Sequence, residues 1–217
     1  MWLSRLISCA VLAVGPTAAV AEQIRPIARG EPLPQMRWDD ARANSHLWTR
    51  AALSAVQGDA RALIETVPED VRDWCPAYPE NPPEARAAFW VGFMSALSKH
   101  ESTYRPDAVG GDGRWHGLLQ ISPATARGYG CRATTGAALR RAGDNLRCAA
   151  RIMAATVSRD GVIYGLEGRY LGVSADWGPL RRAAKRQDIA EWTQQQDYCR
   201  SLSAVRPKSR PLTLERG

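Results

Sequence analysis

The chain has 217 residues, 45% of them hydrophobic and 24% charged. That balance is globular and excludes a disordered chain, a collagen-like chain and a membrane protein of many spans. The 29 basic side chains outnumber the 22 acidic ones, for a net charge of +7, which suits an acidic partner (nucleic acid, an anionic membrane or a cell-wall polymer) without choosing among them.

Residues 1–21 read as a secretory signal peptide. Arg5 supplies the positive start, Leu6 to Val14 is mostly apolar, and Ala19-Val20-Ala21 offers a small-x-small cleavage site before Glu22. The run is too short for a permanent span, which needs about 20 apolar residues. An uncleaved anchor is one alternative. A lipoprotein box, Leu6-Ile7-Ser8-Cys9, is another, with the lipid on Cys9. Removing the first 21 of 217 residues leaves 196, with a charge of +6 and four cysteines: Cys75, Cys131, Cys148 and Cys199. An even count in an exported chain points to two disulfides. Of the three pairings, closeness in sequence favours Cys131–Cys148, which leaves Cys75–Cys199 to tie the start of the domain to its end. No cysteines stand in CxxC spacing, and His46, His100 and His116 form no HExxH. No metal site and no cofactor are therefore expected.

Residues 22–36, rich in Pro, Arg and Gln, predict an extended leader. A helix is expected over 39–57, stopped by Gly58, and a second over 60–67, ended by Pro68. Four prolines within 75–83 predict a loop. A long helix should run over 83–102, with Pro83 in its first turn and Glu84 at the positive end of its dipole. Residues 109–116 form a glycine-rich loop. Ser122-Pro123 has the form of an N-cap followed by a first-turn proline, opening a short helix to 127. Asp144 is expected to cap a helix over 145–159, in which Leu146, Ala149, Ile152, Met153 and Val157 recur at helical spacing and Gly161 is the stop. Helices over 162–171, 179–186 and 188–199 complete the set, and 201–217 should be a disordered tail. The sequence thus predicts a mostly α protein with one core and no strand-rich segment. Its division is a signal peptide (1–21), a leader with a helical extension (22–82), a main domain (83–200) and a tail.

One carboxyl is placed unusually. Trp90, Met94, Leu97 and Glu101 are spaced 4, 3 and 4 residues apart, so they share one helix face. Desolvation and the negative end of the helix dipole both disfavour a charged Glu101, so its pKa should rise. A carboxylic acid kept protonated near neutral pH can act as a general acid. The alternative is a Glu101 turned outward to pair with an arginine. The glycine-rich loop follows closely, Gln120 stands inside an apolar run, and Tyr104, Trp115 and Tyr129 supply rings of the kind that grip sugars.

Glu101-Ser102, then Pro106 and Ala108, then Gly117-Leu118-Leu119-Gln120-Ile121 with Pro123, Thr125 and Ala126, resemble the soluble lytic transglycosylase domain. The resemblance covers about residues 87–170. Gly168-Arg169-Tyr170-Leu171-Gly172 weakly resembles that family's tyrosine-containing AYNAG segment. The resemblance implies a lysozyme-like fold and a periplasmic enzyme that cleaves peptidoglycan glycan strands. It makes Glu101 the single catalytic acid and then base. It places Gln120, Thr125 and Tyr170 in the sugar groove, Tyr170 also orienting Glu101 or the substrate, and Ser102 beside the acid. Gly110 stands where the family often has a serine that contacts the acetamido group, and Trp115 and His116 are candidates to supply contacts in its place. Two other readings compete. One is hydrolysis, as in goose-type lysozymes, with Asp112 or, less favoured, Asp107 activating water. The other is a non-catalytic wall-binding or secretion-accessory protein. A cell-envelope or secretion-apparatus partner is compatible with each reading, and nucleic acid is not expected, since export removes the chain from it and no binding motif is present.

Overall fold

The computed structural model describes residues 32–200; the expected signal peptide, Cys9 and the expected C-terminal tail lie outside them. The first helix, α1 (Ser45–Gln57), starts later than the sequence suggested. Asp39 accepts the backbone N–H of Met36 and so closes a turn instead of opening the helix. A four-residue helix, α2 (Ala62–Glu65), follows. The proline-rich stretch 75–83 contains one 3-10 turn, Tyr78–Glu80.

Helix α3 (Pro83–Glu101) is the centre of the molecule. Every residue from Ala87 to Ser98 is buried. A helix that is apolar on all sides belongs inside a core, so the single stripe expected from Trp90, Met94 and Leu97 was too narrow a description. Its two inner serines satisfy their hydroxyls locally, Ser95 on the Gly92 carbonyl and Ser98 on that of Ser95, both at 2.8 Å. Around it stand edge-to-face aromatic pairs: Trp74 with Phe93 at 5.4 Å, Tyr78 with Phe89 at 5.2 Å and Phe89 with Trp90 at 5.1 Å between centroids. Such pairs add about 0.5–1.5 kcal/mol each beyond area burial. The Trp90 indole donates to the Tyr78 hydroxyl, which donates to the Leu63 carbonyl. That chain of bonds fastens the N-terminal segment to α3. Trp48, Leu53, Val56, Leu63 and Ile64 belong to the same core as Leu118 and Ile152, so the described part of the N-terminal extension is built into the core.

A two-residue ribbon, β1 (Val109–Gly110) with β2 (Trp115–His116), replaces the plain loop expected there. Then come α4 (Pro123–Gly128), α5 (Gly136–Leu139) and α6 (Ala142–Asp160). Ser122 caps α4 as read from the sequence, its hydroxyl accepting the Thr125 N–H at 3.0 Å. Asp144 does not cap α6. It sits inside the first turn and pairs with Arg141 and Arg147. Gly161, at φ +71°, ends α6 as expected.

The helix predicted over 162–171 is instead an antiparallel hairpin, β3 (Tyr164–Leu166) with β4 (Tyr170–Gly172). Two carboxylates select it. Asp70 accepts the N–H groups of Ile163 and Tyr164, and Asp160 accepts that of Gly172. The helix expected over 179–186 is a 3-10 turn, Gly178–Arg181. The one expected over 188–199 is α7 (Ala183–Gln194), which begins earlier, followed by a turn at Asp197–Cys199. Disulfides Cys75–Cys199 and Cys131–Cys148 close loops of 124 and 17 residues. The described residues thus form one mostly helical domain.

Candidate functional site

Glu101 is the last residue of α3, and its position depends on how the chain leaves that helix. Ser102 is the C-cap; its N–H reaches the Ser98 carbonyl at 3.0 Å, and its buried hydroxyl accepts the Arg105 N–H at 3.3 Å. Thr103 and Tyr104 then take left-handed φ values of +54° and +58°. That conformation is uncommon for residues with a Cβ and clusters at functional sites. The turn delivers the chain to β1.

The second approach to the site is the Gly117–Ile121 segment. Gly117 is required there: its φ is +81°, and a Cβ would collide with the Leu139 carbonyl and the Asn145 amide. Buried Asn145 donates to the carbonyls of His116 and Leu139 and accepts the Leu119 N–H. With Leu118 and Leu119 fully buried, Gln120 is turned back at φ +45°. Its amide nitrogen donates to the carbonyls of Gly117 at 2.9 Å and Ala108 at 3.3 Å. The Gln120 oxygen occupies the space a side chain at Gly110 would need, so glycine at position 110 and the pose of Gln120 go together.

These parts face a cleft of about 720 Å³. Glu101, Gly110, Gly111, Trp115 and Gln120 line it from the α3 and ribbon side. Trp115 is 42% exposed, with Arg114 stacked on its ring at 4.8 Å, and its ring lies so close over Gly111 that a Cβ there would collide with it. The rest of the lining comes from His100 and from a segment that the sequence reading did not select, Asp176 to Pro179 with Arg181, Arg182 and Lys185. Trp177 anchors that segment, its indole donating to the Leu119 carbonyl at 3.0 Å.

Of the seven residues that the resemblance and the loop reading place at the site, Glu101, Gln120 and Trp115 line the cleft, and Ser102, Thr125, His116 and Tyr170 are engaged beside it. Ser102 is buried beneath the turn. The Thr125 hydroxyl is engaged with Ser122 at 2.9 Å. The His116 ring packs against Gly136, with its Nδ1 buried and unpartnered. Tyr170 sits on β4 under the guanidinium of Arg181, at 4.7 Å. Asp112 is exposed at the tip of the ribbon, at φ +54°, and Asp107 is exposed beside Arg105 in a separate hollow.

The electrostatics single out Glu101. Burial pushes its pKa from the ordinary value of 4.5 up to about 7, against the opposing pull of Lys185. Among the described residues it takes part in no ion pair, so the outward pairing with arginine is not what the structure contains. The basic side chains next to Glu101 in sequence are occupied. Asp188, on α7, binds Arg37 through two bonds of 2.6 and 2.8 Å, Lys99 at 3.0 Å and His100 at 2.7 Å. The Arg37 guanidinium in particular holds Asp188 well below the usual carboxylate range. Burial lowers the His100 pKa, and Asp188 opposes it. A second carboxylate on the cleft, Asp176, accepts the Tyr129 hydroxyl at 2.8 Å. No group of three or more His, Cys, Asp or Glu side chains suited to a metal ion occurs among the described residues.

No protein-family model matches the chain, and no curated protein matches it. Three solved structures of DslA (Bd0314) do. The wild-type form 2 is 28% identical with a TM-score of 0.70. The other two are mutants, each with one glutamate of DslA changed to glutamine. One is 28% identical with a TM-score of 0.71, and the second is 26% identical at 0.69. Each comparison spans 78% of this chain and 100% of the other.

Proposed function

We propose that this chain is an exported lytic transglycosylase of lysozyme-like fold that cleaves the MurNAc–GlcNAc bond of peptidoglycan. The observation that carries this reading is Glu101: a carboxyl with a pKa of about 7, unpaired among the described residues, on the lining of an open cleft beside Gln120 and an exposed tryptophan. A general acid works best when its pKa lies near the working pH. Glu101 protonates the glycosidic oxygen as the bond to the muramoyl C1 breaks, and the sugar's own N-acetyl group steadies the oxocarbenium-like centre. Glu101, now a carboxylate, takes the proton of the C6 hydroxyl, and O6 closes on C1. The products are a 1,6-anhydro-muramoyl end and a free GlcNAc hydroxyl, and Glu101 is protonated again. The two disulfides fit an oxidising, exported setting. No helix among the described residues is long and apolar enough to cross a membrane.

A second reading, hydrolysis, is favoured by one observation. Asp176 lies on the same cleft as Glu101 and offers a carboxylate that could activate water. Digestion of purified peptidoglycan followed by product mass analysis separates the two. Anhydro ends are expected, and free reducing ends would replace this mechanism with hydrolysis. Glu101→Gln should abolish cleavage. Undiminished cleavage by that variant would remove Glu101 from the chemistry and with it the whole reading.

A further inference from the structure

We propose that Arg182 and Lys185 form an anion subsite on the cleft and receive a carboxylate carried by the glycan. The inference rests on the glycan reading above and names a feature of the substrate that reading leaves open. Both residues line the cleft, at the start of α7. Arg182 is the extended residue that leads into the helix and Lys185 lies in its first turn, so both stand at the same end of α7. Lys185 is close enough for its charge to act on Glu101.

Neither makes an ion pair or a side-chain hydrogen bond among the described residues; Arg42, Arg50, Arg132 and Arg140 also make none, but they lie off this cleft. Several other cations of this arginine-rich chain are neutralised locally. Arg61 pairs with Glu65, Arg72 with Glu80, Arg141 and Arg147 with Asp144, and Arg159 and Arg169 with Asp160. Arg181, next in sequence to Arg182, is fixed by the carbonyls of Ser174 and Ala175 and by the Tyr170 ring. The natural partner for Lys185 would be Asp188, one turn along α7, but that carboxylate already holds Arg37, Lys99 and His100. Asp176, also on the lining, is engaged by Tyr129. Among the described residues, two unneutralised cations therefore remain on a wall of the cleft. The positive end of the 12-residue helix α7 adds to their field. A bound carboxylate would supply the missing counter-charge through charge-assisted bonds. Peptidoglycan offers that group from two sources, the lactyl ether of a muramoyl sugar without peptide and the side and terminal carboxylates of a stem peptide.

The test uses the full chain carrying Glu101→Gln, so that bound substrate persists, and calorimetry at low ionic strength. Three probes are titrated: a GlcNAc–MurNAc disaccharide with its free lactyl carboxylate, the disaccharide–tetrapeptide with free carboxylates, and the same tetrapeptide compound with every carboxylate converted to amide. A carboxylate probe should bind about tenfold more tightly than the amide, corresponding to about 1.4 kcal/mol. The difference should shrink as salt is raised, and adding Arg182→Gln and Lys185→Gln should erase it while circular dichroism shows the fold retained. Preference for the bare disaccharide assigns the anion to the lactyl group, and preference for the tetrapeptide assigns it to the stem. Equal affinity for all three probes would overturn the subsite and leave the glycan reading standing. Binding of none would overturn both. A preference that survives in the Arg182→Gln/Lys185→Gln protein would overturn the assignment to these two residues.

Discussion

Glu101→Gln should stabilise the fold, and by an amount that depends on pH. The carboxyl is held protonated in the folded chain, at about 7 against an ordinary value of 4.5, because burial disfavours its charge. Below about pH 4.5 both folded and unfolded chains carry the proton, and the group is neutral with respect to stability. Between about 4.5 and about 7 the unfolded chain releases the proton and the folded chain keeps it. More protons are then bound in the folded state, so stability falls as pH rises. Above about 7 the loss is complete. At about 1.36 kcal/mol per pH unit, the full effect is about 3 kcal/mol. Glutamine keeps the shape and removes the titration, so the variant should match wild type near pH 4 and exceed it by about 3 kcal/mol near pH 8. For a domain of this size that is a difference in Tm of about 6–12 °C. Thermal unfolding followed by circular dichroism at both pH values measures it. A Tm difference that does not change with pH, or a wild type that is the more stable protein near pH 8, would refute the claim that Glu101 is buried at a desolvation cost.

Other perturbations test the frame around that residue. Gly117→Ala should destabilise by more than about 2 kcal/mol, since it meets both a left-handed φ and backbone contact with Leu139; urea midpoints check it. Removing Cys75–Cys199 should cost about 5 kcal/mol and removing Cys131–Cys148 about 3, following the loop lengths of 124 and 17 residues, and chemical denaturation of the two double-alanine variants gives the order. Asp188→Asn should lower the pKa of Glu101, because Arg37 and Lys99 lose their counter-charge beside it; a carbon NMR titration of the Glu101 carboxyl reads the shift, and an unchanged value would show that the cluster does not reach the acid.

What could be read from the sequence, and what could not, follows the range of the forces involved. Helix α6 was legible because its apolar residues recur at helical spacing and a glycine ends it, all within about 20 residues. The partial burial of Glu101 was legible too, since it continues the helix face of Trp90, Met94 and Leu97, which are fully buried, to the point where α3 meets the cleft. The hairpin of β3 and β4 was not. Val162-Ile163-Tyr164 and Tyr170-Leu171 are short apolar runs that suit either a strand or a helix by pattern alone. The deciding group for the first strand is Asp70, 93 residues from Ile163, and no local pattern contains it. Half of the cleft was hidden by the same kind of distance. The segment carrying Trp177, Arg182 and Lys185 reads, from residue 179 on, as an ordinary helix. It becomes a wall of the site because the Trp177 indole bonds the Leu119 carbonyl, 58 residues away.

The two halves set opposing conditions for one carboxyl. A cleft lined by Arg181, Arg182 and Lys185, next to Lys99 and His100, would ordinarily favour an ionised glutamate. Burial keeps the pKa of Glu101 high, and the basic side chains nearest it in sequence are engaged elsewhere. Lys99 and His100 point to Asp188, on a different helix, and that carboxylate also draws in Arg37 from the N-terminal segment. Lys185 alone exerts a resolved charge effect on Glu101, and burial exceeds it. The N-terminal segment and α7 therefore do more than cover α3. They engage Lys99, His100 and Arg37 on Asp188 at the end of that helix, while burial of Glu101 outweighs the pull of Lys185; a basic cleft and a neutral acid so coexist, the combination that anion-bearing glycan and acid catalysis would each require.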